Sequence, residues 1–449
     1  MKHTPKVRQR YLFLDDEFIA EQKGLTRKMG KPVRHEGNPI LRPDRPWEGM
    51  CVLIWGSVIW DDADNMWRMW YEAYNPHNRA NSDKTLLCYA ESQDGVNWVK
   101  PNLGLVAYDG DKNNNIVFRA TERFDTATVV VDPFDPPASR RYKMMLFNTA
   151  TWQFLRYGSP DGLHWEELGA VNNVENLGDR HSLMIDREAG RWNLYYKQNT
   201  PLRVIRLATS EDFEHWTDHG EVLTPDENDP PDTQFYGMVG FRHGCFGLGF
   251  LEIFDIRHRR LYTQLTRLDA DGKPSRYMQG EPFLNYGELN TWESTWVFPG
   301  NCEPIRYGEE IRIYYQGRST LHWAGEPDGR GHTGAIGLAR LRPDGYVYME
   351  AESKGMLMTP PVEVTGHFID VNADASAGSI RVELLDESGA PLEGFEADAC
   401  CPIDTNATYS KLIWGGRSGL DELVGRKVRL KFHMDKARLY SFWFSDMHY

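Results

Sequence analysis

Four carboxylates in this 449-residue chain, Glu48, Asp125, Asp179 and Glu293, stand where acid and base chemistry could be done. Two of them directly follow a tryptophan, as Trp47-Glu48 and Trp292-Glu293, so an indole face and a carboxylate are offered side by side. An indole can cover the C–H face of a polar ring while the adjacent carboxylate reaches a hydroxyl or a bridging oxygen; plain packing between sheets is the competing use of the same tryptophans. Carboxylates gathered in one pocket raise one another's pKa, so that one keeps a proton while another stays ionised. Two such groups flanking a glycosidic bond are what hydrolysis through an oxocarbenium-like state requires.

Other candidate ligand contacts lie close by in the repeat pattern described next. Arg180 and His181 follow Asp179, and either contacts to substrate hydroxyls or an ion pair with Asp179 would account for Arg180. Asp232 and Tyr236 precede a fourth strand run, and His322 follows the fifth aromatic run in GRSTLHW. No glycine loop followed by a helix, HExxH or Gly-x-Ser-x-Gly is present, so phosphate-cradling, zinc-protease and serine-elbow chemistry are not indicated. No metal set and no cofactor are expected, with an ion on a central axis left open. The six cysteines show neither zinc spacing nor a disulfide pattern and read as buried free thiols in a reducing compartment.

These residues are placed by a repeat. SQDGVNW at Ser92 returns as SPDGLHW at Ser159 and SEDFEHW at Ser210. Ahead of each lies an alternating apolar run, an acidic or Pro/Gly turn, and an aromatic-rich run, as in LMIDREAGRWNLYYKQN from Leu183. Period-two alternation with turn residues between the runs predicts antiparallel hairpins. Two weaker copies follow, and the turn aspartates Asp94, Asp161, Asp212, Asp271 and Asp344 recur at roughly 50 to 75 residues, the range of four-stranded blades with variable loops. The Ser-x-Asp-Gly turn supplies side-chain acceptors and a positive-φ glycine, and its tryptophan covers apolar area between neighbouring blades, so the repetition is structural.

The pattern therefore predicts an all-β chain: an N-terminal strand or extension over 1–45, a five-bladed β-propeller over 46–355, and an antiparallel β-sandwich over 360–449. In a propeller the segments before the innermost strands converge on one mouth. Those segments hold Glu48, Asp125, Asp179, Asp232 and Glu293.

A net charge of −14 sets nucleic acid and anionic membranes aside as main partners and favours neutral ligands. No stretch approaches the roughly 20 apolar residues of a membrane span. The opening MKHTPKVRQRYLFLDDEF meets Asp15, Asp16 and Glu17 before any long apolar run, which is unlike a secretory signal and predicts a cytoplasmic location. Nothing in the sequence fixes the oligomeric state.

Five hairpin repeats with acidic residues before the inner strands, followed by a sandwich, resemble the five-bladed glycosidases of families 32, 43, 62 and 68, and more closely the family-32 N-terminal-like proteins. The family-32 signature Trp-x-Asn-Asp-Pro-Asn is absent, and Asn301-Cys302-Glu303 is a distant likeness of its Glu-Cys motif. The resemblance implies a glycoside hydrolase acting on a small neutral oligosaccharide with three carboxylates: Glu48 as nucleophile or base, Asp125 as transition-state stabiliser, and Asp179 or Glu293 as the acid. Two alternatives keep the same fold. One is a phosphorylase using Arg180, His181, Arg242, His243 and Arg318 to hold phosphate; the other is a sugar-binding propeller without catalysis.

Overall fold

The computed structural model describes residues 9–446 except 63, 76, 77, 79, 133, 136, 137 and 323–332. Among them every regular element is a β-strand or a short 3-10 turn, so the chain is all-β. It forms two compact units, one of Val33–Ile305 with Arg312–Arg340, the other of Met1–Pro32, Arg306–Ile311 and Leu341–Tyr449.

The larger unit is a succession of antiparallel sets. The second set runs in chain order through Phe124–Val131, Tyr142–Asn148, Gln153–Ser159 and Glu166–Ala170; the third runs through His181–Asp186, Arg191–Gln198, Val204–Ser210 and Thr217–Leu223. In the first set the leading strand is broken into Cys51–Leu53 and Val58–Asp61, which both pair with Met66–Tyr74. The fourth and fifth sets share one nine-stranded sheet, joined where Leu261 pairs in parallel with Trp296. The fifth set ends on Val33–Arg34, a strand from the N-terminal side of the sequence that pairs with Ala335–Leu341.

The repeated turns do what their residues predict. In the first, Ser92 Oγ accepts from Gly95 N–H (2.9 Å), and Asp94 Oδ1 accepts from the backbone of Val96 (2.8 Å) and Asn97 (2.7 Å). The same bonds recur around Ser159 and Asp161, with Gly95 and Gly162 at φ 72° and 76°. The third copy puts Phe213 at φ 64° where the others have glycine, and holds it by burying its ring against Trp192 and Trp216. The fifth turn aspartate departs from the pattern. Asp344 lies in the smaller unit, buried and bonded to Arg10 and Ser441, because the outermost strand of the fifth set is supplied by Val33–Arg34.

Side chains from alternate positions interleave between successive sets. Trp70 and Leu87 of the first set pack with Phe124 and Met144 of the second; Phe147 of the second packs with Leu194 and Trp216 of the third; Tyr195 of the third packs with Met238 and Leu251 of the fourth. A further cluster joins Trp67 and Tyr71 of the first set to Tyr314 and Ile336 of the fifth. Each fully buried tryptophan contributes about 4–6 kcal/mol of transfer free energy at ~25 cal/mol per Å².

In the smaller unit the 19-residue strand Lys427–Ser445 organises the sheet. Its first half pairs with Ser379–Leu385 and its second half with Phe368–Asp374 and Arg10–Leu12, while Val347–Met358 runs along both halves. The core of this unit is its own, built on residues such as Phe13, Val371, Val382, Trp414 and Phe432.

Candidate active site

Asp125 and Asp179 line one cavity of about 110 Å³, and every set of the larger unit contributes to its wall from the start of its leading strand. The first set supplies Leu53 and Trp55, the second Arg123 and Asp125, the third Asp179, the fourth Tyr236 and the fifth Trp296. Tyr74 and Arg318 come from the second strands of the first and fifth sets.

Local irregularities aim these side chains inward. The leading strand of the first set breaks around Trp55. In the second set the register slips between Asp125 and Ala127, with Thr126 at φ 52°. A β-branched residue in that region costs ~1–3 kcal/mol, and bulges of this kind re-aim side chains next to functional sites. Thr126 is held there because its Oγ1 donates to the Asp179 carbonyl (2.6 Å) and the next amide, Ala127 N–H, donates to buried Glu72 (2.7 Å). The fourth set slips in the same way between Phe235 and Gly237, which presents Tyr236. On the third set Gly178 lets the chain press against the neighbouring strand, since a Cβ there would lie 2.5 Å from the Lys197 carbonyl oxygen.

The two carboxyls are driven apart electrostatically. Burial pushes Asp125 up, Arg123 pulls it back with Nη2 bonds to both oxygens (2.6 and 2.7 Å), and the negative charge of Asp179 adds to the rise, leaving Asp125 at about 6. Burial also pushes on Asp179, but Lys197, 2.5 Å away, together with Arg203, outweighs it and holds Asp179 below its ordinary value. Lys197 lies 3.9 Å from the Tyr236 ring centroid, so its charge is fixed between that aromatic face and the carboxylate. The result is one carboxyl that keeps its proton into the weakly acid range beside one that stays ionised, the division of labour that acid–base catalysis uses. Among the described residues no group of three or more His, Cys, Asp or Glu side chains is placed to hold a metal.

Of the four carboxylates singled out in the sequence, the structure brings together Asp125 and Asp179 and leaves Glu48 and Glu293 outside the cavity lining. Glu48 is fully buried in the 3-10 turn Pro46–Glu48, where it accepts from Asp44 N–H (2.8 Å), Arg45 N–H (3.0 Å), Tyr71 Oη (2.6 Å) and Lys100. Its oxygens are consumed in holding the turn. Glu293 accepts from Arg34 Nε (2.9 Å) and so anchors the strand that completes the fifth set.

The tryptophans beside them pack. Trp47 donates its indole N–H to Asn115 (3.0 Å), and Trp292 lies on Tyr315, 5.7 Å between centroids, over Gly317 and Gly337. Asp232 is an exposed turn residue at φ 71°. Tyr236 is a wall residue, and His322 backs it: Nε2 meets Tyr236 Oη at 3.3 Å and the ring stacks on Trp296. Burial, reinforced by Lys197, Arg203 and Arg318, lowers His322 to about 3, which keeps it neutral.

Arg180 and His181 do not reach the cavity either. Arg180 is ion-paired with Glu252 and donates to Asn301 Oδ1, and His181 meets the Met145 carbonyl (3.1 Å) with its pKa lowered by burial to about 3. Arg242 is paired with Asp186 (2.6 Å), and His243 closes the far end of the strand that presents Tyr236, so of the basic residues considered for phosphate only Arg318 lines the cavity.

Asn301 forms a hub shared by several sets. Its Nδ2, with two hydrogens to donate, lies within bonding distance of three acceptors: the Trp55 carbonyl (2.7 Å), Thr128 Oγ1 (2.8 Å) and the His181 carbonyl (3.0 Å). Arg123, Lys197, Trp55, Tyr74 and Trp296 complete the site and were not singled out by sequence reasoning. Two signals were there to read: Arg123 stands two residues before Asp125 at the entry to an apolar run, and Lys197 is a charge directly after the aromatic run LYY.

No family model matches the chain, and no curated protein matches it in sequence. Solved structures do. A fructofuranosidase from Schwanniomyces occidentalis is 9% identical over 92% of this chain and 97% of its own, with a TM-score of 0.45. A member of the family-130 mannoside phosphorylases, a family containing glycoside hydrolases that target β-1,2-mannosidic linkages in Candida mannan, is 16% identical over 70% of this chain and 95% of its own, with a TM-score of 0.49. A candidate glycoside hydrolase from Bacteroides ovatus is 15% identical over 71% of this chain and 98% of its own, with a TM-score of 0.51. What the chain shares with that last structure, at this identity, is the fold.

Proposed function

We propose that this chain is a glycosidase that hydrolyses sugar bonds in the cavity between Asp125 and Asp179. The five strand sets are read as the blades of a five-bladed propeller around that cavity, and the C-terminal region as a β-sandwich. The observation that carries the reading is the pair of buried carboxyls with opposite pKa shifts, Asp125 at about 6 and Asp179 held ionised, in a cavity walled by Trp55, Tyr74, Tyr236 and Trp296. Aromatic faces suit the C–H faces of a sugar ring. Asp125 donates its proton to the glycosidic oxygen as the C–O bond breaks, ionised Asp179 stabilises the positive charge that develops at the anomeric carbon, and a water molecule then bonds to that carbon and gives up a proton to the Asp125 carboxylate, which restores the acid. The fold shared with the Bacteroides ovatus structure supports this choice of chemistry as an analogy of scaffold.

The test is release of reducing ends from a panel of oligosaccharides by the wild type and by Asp125→Asn and Asp179→Asn, with and without inorganic phosphate. Hydrolysis by the wild type, abolished in both variants and indifferent to phosphate, is expected. Saturable sugar binding with no release across the panel would make the chain a binding protein. A strict phosphate requirement would make it a phosphorylase.

A further inference from the structure

We propose that the sugar bound in this cavity carries a carboxylate, and that Arg318 is the residue that receives it; the proposal deepens the glycosidase reading and rests on it. Arg318 is 5% exposed and lines the cavity with Asp125 and Asp179. Of the other cations that act on the carboxyls, Arg123 is paired with Asp125 and Lys197 with Asp179, while Arg203 acts on Asp179 from outside the cavity lining and donates to Gln234. Arg318 has no such match: among the described residues no carboxylate pairs with it, and its buried Nε has no hydrogen-bond partner.

A buried guanidinium with no carboxylate partner among the described residues is a cost to the fold, since burying a charge is tolerated when it is paired and hydrogen-bonded. Its geometry shows what would pair with it. The guanidinium lies over the Trp296 ring, 4.4 Å from the centroid, so one face is covered; a neutral thiol, Cys51, meets it with a side-chain hydrogen bond, and Nε is left without a partner. The fork of N–H groups of a guanidinium matches a carboxylate in a bidentate fashion. The rest of the wall is aromatic, so a ligand with both a ring face and a carboxylate satisfies the two kinds of surface at once. One unmatched positive charge answers to one negative charge on the ligand. The proposal departs from the neutral ligand expected from the net charge of −14 because that charge describes the whole surface, whereas a ligand in the cavity meets Arg318 directly.

The experiment is calorimetric titration of the full chain at neutral pH with D-glucuronate and D-galacturonate, with glucose and galactose as their neutral counterparts, and with inorganic phosphate alone. Uronates should bind about tenfold or more tightly than the neutral sugars, Arg318→Met should remove that preference, and Arg318→Lys should restore part of it by returning the charge without the fork. Equal affinities for charged and neutral sugars, a preference that survives in Arg318→Met, or phosphate as the anion that binds through Arg318 would each overturn the proposal. If Arg318→Met does not fold, the comparison of charged with neutral sugars on the wild type still decides. Cleavage of neutral oligosaccharides without any uronate preference would sink this inference and leave the glycosidase reading standing.

Discussion

Replacing Asp125 by asparagine tests the electrostatics of the cavity without needing any ligand. The carboxyl sits at about 6 against an ordinary value of 3.8, because burial and the charge of Asp179 outweigh Arg123. A rise of that size is about 3 kcal/mol of extra cost to the ionised form in the folded chain. Below about pH 4 both folded and unfolded chains hold the proton, and the contribution to stability is fully present. As the pH rises towards about 6 the unfolded chain ionises first while the folded one keeps its proton, so stability falls until both are ionised. Relative to Asp125→Asn, the wild type should therefore lose about 3 kcal/mol between about pH 4 and pH 7. Loss of the Arg123 bonds in the variant adds an offset that does not change with pH and drops out of the slope. Urea unfolding of both proteins across this range, followed by tryptophan fluorescence, gives the difference; titrations remote from Asp125 cancel, while those of Asp179 and Glu72, which feel its charge, enter the difference with it. A difference that stays flat, or a wild type that gains on the variant as pH rises, would refute the raised Asp125.

The same carboxyl should set the alkaline limb of the pH–rate profile: kcat/KM falls above about pH 6, and Asp125→Asn lowers turnover by about 10²–10⁴. Lys197→Met removes the cation that keeps Asp179 ionised, so thermal unfolding should report a loss of about 3–5 kcal/mol and turnover should fall with it. Glu48→Gln leaves Lys100 with Asp44 as its one carboxylate partner among the described residues and should cost about 1–3 kcal/mol in unfolding, with kcat of the folded protein unchanged; a collapse of kcat at full stability would return Glu48 to the chemistry. Asn301→Ala removes both amide N–H donors of the hub and the oxygen that accepts from Arg180, and should destabilise the larger unit by about 3 kcal/mol or more, read as a lowered unfolding midpoint.

Period-two alternation and the Ser-x-Asp turn were legible along the chain because both are local: a hairpin's register and its turn bonds are settled within a few residues. Val33–Arg34 was not, because two residues carry no alternation, and their place on Ala335–Leu341 is decided about 300 positions away. The same distinction divides the site. Asp125 and Asp179 could be found from their position ahead of apolar strands, since a leading strand fixes where its first residues point. Glu48 and Glu293 satisfy that positional rule equally well and differ only in what surrounds them. Tyr71 and Lys100 close on the first, and Arg34 closes on the second. Whether a carboxylate is held for chemistry or consumed by the fold is therefore a property of its partners rather than of its place in the repeat. A carboxyl whose partners under-compensate its burial, as Arg123 does for Asp125, is left with protonation free energy to spend on a ligand; one whose acceptor sites are all taken, as in Glu48, has none.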